Sequence, residues 1–276
     1  MENIYRGGSF VKSDNHLQDK VVFITGASSG LGEQIAYEAA LEGAIVVVAA
    51  RSLDKLQTVR DTCEKISGKK AYLFSMDISK PEEIEAVFQE ITATIGPIDV
   101  LINNAGFGHF ESVLTADMAI AEDMFRVNVL GLMYTSQMAA IHMAERESGH
   151  IITIASMAGK MATPKSTIYS ATKFAVIGYT NALRLELKPL SIQVSTVNLG
   201  PVNTTFFDKA DKNGDYLAKV DKYVLDPKEV AHKIVRLIGT NKRELNLPKS
   251  MEVASRFYTL FPKMGDYLAS TLFNQK

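Results

Sequence analysis

From residue 20 onward, short unbroken apolar runs alternate with segments whose apolar residues recur at helical spacing. The run from Lys20 to Thr25 is β-branched and ends in glycines, and Leu31 to Glu42 follows with Leu31, Ile35 and Ala39 one helical turn apart. A second buried-strand run spans Ala44 to Ala50. The same alternation predicts helix 53–66 before strand 70–76, helix 81–95 before strand 99–103, helix 117–146 before strand 149–156, and helix 169–188 before strand 192–198. Apolar runs without a polar face mark strands covered on both sides, as in a parallel sheet. Strict alternation from 20 to 198 therefore predicts an α/β fold, a single domain built on one doubly wound parallel sheet with helices on both faces.

The ends of the chain break this pattern. Residues 1–19 are mostly polar and predict an arm with little structure of its own. The main domain is read as 20–248, with 203–225 a candidate lid that carries Phe206 and Phe207. Asp226-Pro227-Lys228-Glu229 reads as a helix start before the apolar stretch 230–238. Residues 249–276 form an aromatic-rich extension. Val253, Phe257, Leu260, Phe261, Met264, Tyr267, Leu268 and Phe273 recur at helical spacing, broken at Pro262 and Gly265. Three placements are open to it: packing on the protein's own core or a subunit interface, roofing the substrate cleft, or touching a membrane. Lys249, Arg256 and Lys263 are too few for strong attraction to anionic lipid, which puts the membrane last.

Composition narrows the class. Among 276 residues, 46% are hydrophobic and 22% charged, which excludes whole-chain disorder, collagen-like fibre and coiled coil. Thirty Lys and Arg against 31 Asp and Glu leave a net charge of -1, without the basic excess of a general nucleic-acid binder. The lone Cys63 cannot form an internal disulfide, so a reducing compartment is expected. The N-terminus has no apolar signal-peptide core, and 44–50 falls far short of the roughly 18 residues of a membrane span. A cytoplasmic protein with no membrane span is expected. His16, His142, His150 and His232 show no metal-ligand spacing, so no metal site is expected.

The first strand runs into Thr25-Gly26-Ala27-Ser28-Ser29-Gly30-Leu31-Gly32 and then a helix. Glycine lets backbone approach a pyrophosphate closely, and a helix N-terminus offers free N–H groups. Gly26, Ser28, Ser29, Gly30, Leu31 and Gly32 are therefore candidate cofactor contacts. The second strand ends at Ala50-Arg51, with no carboxylate where an NAD ribose would be held. A guanidinium suits a 2′-phosphate, so NADP(H) is expected over NAD(H), with Arg51 the reader. Asp54 reads as a helix-start residue.

Ser156 ends a predicted strand, and Tyr169 and Lys173 stand four apart on a predicted helix, sharing one face. An ammonium beside a phenol favours phenolate, and such a tyrosine can exchange a proton with a carbonyl or alcohol oxygen. Together with Asn103-Asn104-Ala105-Gly106, Asn128 and Tyr169-Ser170-Ala171-Thr172-Lys173, the chain resembles the short-chain dehydrogenase/reductase family over roughly residues 20–245. The resemblance implies a single-domain Rossmann fold with a seven-stranded parallel sheet, with Tyr169 as acid/base and Ser156 orienting the substrate oxygen. It implies that Lys173 lowers the phenol pKa and binds the nicotinamide ribose, and that Asn128 holds a water linking Lys173 to solvent. It further implies that Asn104, Ala105 and Gly106 border the adenosine ribose, Asp77 and Ile78 the adenine, and Val202 and Thr204 the carboxamide and pyrophosphate. Many members carry Pro-Gly after the sixth strand; here the order is inverted, Gly200-Pro201.

Phe107, His109, Phe110, Met157, Met161, Phe206 and Phe207 are expected to line the substrate cleft. Their apolar character favours a small apolar ketone, aldehyde or alcohol over a charged metabolite. His109 reads as a cleft-edge residue rather than a second acid/base. The alternative to an NADP-dependent oxidoreductase is a nucleotide-sensing protein without turnover, which would be free to lose Ser156, Tyr169 and Lys173. Apolar excess on the helices at 117–146 and 169–188, including Met133, Met138, Ala139, Ala140, Ile141, Met143, Ala175, Val176 and Ile177, predicts a homodimer or homotetramer.

Overall fold

Seven parallel strands form the central sheet of the computed structural model, which describes residues 3–6, 9–12, 15–210 and 223–273. They are β3 (Val21–Thr25), β4 (Ile45–Ala50), β5 (Tyr72–Ser75), β6 (Val100–Asn103), β7 (Gly149–Ile154), β8 (Ile192–Leu199) and β9 (Glu244–Leu247). Their spatial order is β5-β4-β3-β6-β7-β8-β9. The order reverses between β3 and β6, and a crevice opens there at the strands' C-terminal ends.

Residues alternate across the sheet, which is why the runs are apolar throughout. In β3, Val22 and Ile24 join one core with α1 (Gly30–Leu41), α2 (Leu53–Ser67) and α8 (Pro227–Val235). Val21 and Phe23 join the other with α3 (Pro81–Thr94), α5 (Leu132–Ala144) and α6 (Thr167–Leu187). Phe23 meets Phe88 edge-on, with ring centroids 5.4 Å apart, in that second layer. Asp226 caps α8, accepting from the amides of Lys228 and Glu229.

The structure corrects several expectations. The arm is not featureless: β1 (Asn3–Arg6) pairs antiparallel with β2 (Ser9–Lys12), bringing Ile4 opposite Val11 and Tyr5 opposite Phe10, all good strand formers. Leu17 is buried in the first core, and His16 bonds Glu42 and the Val235 carbonyl. The long helix expected at 117–146 is three segments: α4 (Met118–Phe125), a π-helical stretch Arg126–Gly131, and α5. Gly131 presses on the Ile78 carbonyl, where a Cβ would lie 2.4 Å from the oxygen. The expected lid opens with α7 (Phe206–Ala210) and closes with a bridge from Val202 to Leu225. Its residues 211–222 lie outside the described residues. Of the apolar excess expected outside, Ala139, Met143 and Val176 are buried within the chain.

The C-terminal extension forms α9 (Lys249–Leu260) and α10 (Pro262–Phe273), broken at Pro262 but not at Gly265, which packs against Tyr258. Met251 and Ser255 of α9 are buried, while Val253, Leu260, Phe261, Met264, Tyr267 and Leu268 are exposed. No helix among the described residues is long and apolar enough to cross a membrane.

Candidate active site

The crevice at the switch point is a cleft of about 390 Å³. Its floor is the turn from β3 into α1. Gly26 takes φ +66°, and a Cβ there would lie 2.6 Å from the Ala105 Cα. A Cβ on Gly32 would lie 2.5 Å from the Asn104 Nδ2 and 2.6 Å from the Gly26 carbonyl oxygen. That close approach is used: the Asn104 side-chain amide donates to the carbonyls of Thr25 and Gly26 at 3.0 and 3.1 Å. Thr25 Oγ1 accepts from the backbone amides of Asn104 and Ala105. The two loops thus form one rigid cradle. Ser29 caps α1 without a side-chain hydrogen bond, so its own hydroxyl does not compete with an anion for the first-turn amides at the cleft.

Ser28, Ser29, Gly30, Leu31, Ala105 and Gly106 line the cleft with these residues. At its outer end stand Arg51, Asp77 and Ile78. Burial raises the Asp77 pKa, but hydrogen bonds from Ser79 and the nearby Arg51 charge outweigh it and hold the carboxyl below its usual range. Val202 and Thr204 line the wall above Gly30, where a Cβ would meet the Thr204 side chain at 3.3 Å. The inverted Gly200-Pro201 step keeps this wall in place: the Pro201 carbonyl accepts from Leu225 N, and Asn203 N donates to the Leu225 carbonyl.

Tyr169 and Lys173 lie in the first two turns of α6, both buried. The Lys173 Nζ stands 5.8 Å from the Tyr169 ring centroid and donates to the Ile154 carbonyl at 3.1 Å. Burial pushes its pKa down to about 8. Ser156 follows β7; its Oγ donates to the Leu199 carbonyl at 3.2 Å and accepts from Ala158 N at 3.1 Å. All three line the one cleft. Asn128 does not line it. It sits in the π-helical stretch, 1% exposed, directly behind Gly106, where a Cβ would lie 3.0 Å from its Oδ1. Its side chain accepts from Phe107 N at 2.9 Å and donates to the Phe107 carbonyl at 2.8 Å, and also to Thr172 Oγ1.

A model of the short chain dehydrogenase family matches residues 20–215. The chain is 35% identical over 231 residues to an uncharacterized oxidoreductase of Staphylococcus aureus strain N315, covering 84% of this chain and 95% of that one. The chain is a short-chain dehydrogenase/reductase. Among solved structures, this enzyme is similar to a short-chain dehydrogenase/reductase from Mycobacterium marinum, with TM-score 0.78, 29% identity, and 84% and 95% of the two chains covered. It is also similar to an alcohol dehydrogenase from Thermococcus sibiricus complexed with 5-hydroxy-NADP, with TM-score 0.75, 26% identity, and coverage of 83% and 96%. It is accordingly an NAD(P)-dependent oxidoreductase, and the cradle suits such a cofactor: glycines where a Cβ would intrude, and uncapped helix amides for the pyrophosphate.

Sequence reasoning missed part of the enzyme's cleft. Ser52 and Lys55 line its outer end beside Arg51, and Thr163, Ser166 and Met251 line it further in. Lys55 could have been found, since it stands one helical turn past Arg51 at the start of α2. Met251 carries no local signal: it arrives from α9, against Gly200. His109, expected in the cleft, is not among its lining residues; its ring pairs with Glu111 at 3.0 Å instead. Phe107, Phe110, Met157, Met161, Phe206 and Phe207 do line it.

Proposed function

We propose that the enzyme prefers NADP(H) and interconverts an apolar ketone or aldehyde with its alcohol. The observation that carries this reading is the single cleft that joins the glycine cradle and Arg51 at one end to Ser156, Tyr169 and Lys173 at the other. Arg51, Ser52 and Lys55 supply two cations and a hydroxyl for a 2′-phosphate, and no carboxylate stands at the end of β4 to repel it. The Thermococcus sibiricus relative, complexed with 5-hydroxy-NADP, is in keeping with that choice.

When bound, the cofactor supplies the hydride that adds to the carbonyl carbon. Tyr169 gives its phenolic proton to the carbonyl oxygen as the C=O electron pair moves onto it, and solvent restores that proton; oxidation runs the same steps backwards. Ser156 Oγ orients the substrate oxygen by hydrogen bonding. Lys173, with a pKa near 8, is mostly protonated at neutral pH, so its charge favours the phenolate in the transition state. Asn128 is a positioning residue: it locks the Phe107 backbone and Thr172, and it would hold the water that connects Lys173 to solvent. A reducing cytoplasm suits the lone Cys63, whose thiol is pushed up to about 12 by burial and stays unreactive.

The test is a panel of carbonyl compounds and alcohols followed by NADPH and NADH absorbance. Tyr169→Phe is expected to bind NADPH like the unaltered enzyme and to lose at least the roughly 10²-fold of a general acid. Turnover left intact in that variant would refute the mechanism. Arg51→Asp is expected to weaken NADPH binding far more than NADH binding, and equal losses by titration would remove Arg51 as the reader.

A further inference from the structure

The wall around Tyr169 is aromatic. Phe110 meets its ring edge-on, with centroids 5.4 Å apart at 81°. Phe206 lies against the same ring at 5.9 Å and 56°. Phe207 touches both phenylalanines, 6.2 Å from Phe110 and 5.2 Å from Phe206. These rings come from three segments: the loop after β6, the start of α6, and α7. The Phe110 amide donates to the Ala210 carbonyl at 2.9 Å, tying the loop to α7. The cluster depends on Gly108, where a Cβ would stand 2.7 Å from Phe206 Cζ and 3.3 Å from Tyr169 Cδ2. Any other residue there would push Phe206 off the tyrosine.

Among the described residues, polar docking points at this end are few. Thr163 and Ser166 line the cleft, but their hydroxyls pair at 2.9 Å, and Ser166 also bonds the Thr163 carbonyl and Ser170. Among the described residues, the charged groups lining the cleft are Arg51, Lys55 and Asp77 at the cofactor's outer end, and the buried Lys173. A substrate carboxylate would find, among the described residues, no counter-ion in the cleft wall beyond Lys173 to offset its desolvation. Met157 and Met161 add polarizable, unbranched thioethers, which favour contact with ring edges.

We infer that the wall selects planar aryl ketones and aldehydes, or the matching benzylic alcohols, with Phe206 the specificity-determining residue; this rests on the oxidoreductase reading above. A flat π-system can take offset or edge-to-face positions against Phe206 and Phe110, whereas a saturated ring of the same size presents no complementary quadrupole. The carbonyl conjugated to such a ring lies in the ring plane, so ring placement also sets the direction of the oxygen toward Tyr169 and Ser156.

The experiment compares acetophenone with cyclohexyl methyl ketone, equal in carbon count, as substrates of the NADPH-loaded enzyme. It also compares their binding to the NADP⁺-loaded enzyme by calorimetry, where no chemistry intervenes. Phe206→Leu is expected to lower the aryl-over-cyclohexyl ratio, in kcat/KM and in affinity alike, by about two- to tenfold. NADPH affinity should stay as in the unaltered enzyme. Gly108→Ala, which displaces Phe206 without removing it, is expected to shift the ratio the same way and serves if the leucine variant fails to fold. A ratio unchanged in both variants, or tighter binding of the cyclohexyl ketone by the unaltered enzyme, would overturn the assignment. If NADPH binds but no carbonyl compound of any class is reduced, the oxidoreductase reading of the site falls, and the aryl preference falls with it.

Discussion

Lys173 costs the folded chain free energy. Burial holds its pKa near 8, against an ordinary value of 10.5. Between those values the unfolded chain carries a proton that the folded chain lacks, so stability rises with pH from about 8 to 10.5 and the full cost stands below 8. Lys173→Met should therefore fold more stably at pH 7, by on the order of 3 kcal/mol, while losing turnover. Urea unfolding at pH 7 and again above pH 10 checks this: the difference should be present at the first and nearly gone at the second. An identical midpoint at pH 7 would mean that the amine is not desolvated. At this scale the sequence is a good guide where function sits in a local pattern. Tyr169 and Lys173 share a helix face because they are four apart, and Gly26, Gly30 and Gly32 fall in one turn. It is a poor guide to contacts that only tertiary structure makes: the bond from Asn128 to Phe107 spans 21 residues.

Elements follow the same division. The strands β3 to β8 are legible as apolar runs, and α8 because Asp226 and Pro227 mark its start, whereas β9 alternates Glu244 and Asn246 with Leu245 and Leu247 and carries no such run. The π-helical stretch Arg126–Gly131 is not, since its cause lies in distant partners, Phe107 for Asn128 and the Ile78 carbonyl beside Gly131. The pairing of β1 with β2 escapes notice because two four-residue runs in a polar arm carry too little periodicity. One tight junction between elements is that of α1 against the loop after β6. Gly32→Ala would place a methyl group 2.5 Å from the Asn104 side-chain amide, breaking the bonds that hold the cradle. We expect a loss of about 1–3 kcal/mol, typical of overpacking, together with much weaker NADPH binding. Thermal melts and fluorescence titration measure the two effects, and a variant that melts and binds like the unaltered protein would show that the junction yields.

Over the whole molecule, the largest question is what meets the apolar surface of the π-helical stretch, α5 and α6. Phe125, Leu130, Tyr134 and Ile141 are exposed along one continuous helical rod, and Phe174 is exposed on the helix packed beside it. Isolated exposed side chains need no explanation, but large ones on adjoining helices match a self-complementary interface. A dimer or tetramer is expected by light scattering at micromolar concentration, and the double variant Leu130→Glu, Ile141→Glu is expected to run as a monomer with its fold intact. A monomeric mass for the unaltered protein would refute this. Sequence alone puts the apolar excess on these same helices but on partly different residues, because Ala139, Met143 and Val176 face inward.

The bond pair between Asn128 and Phe107 also has a dynamic consequence. Phe107 lies in a connecting loop, where amide protons usually trade with solvent quickly. Its own is donated to a side chain that is 1% exposed and anchored in a helix. In deuterium exchange, this loop proton should persist as long as those of the neighbouring strand and be released only when the π-helical stretch opens. That would make one backbone position beside the cleft a natural clock for the opening of the active site.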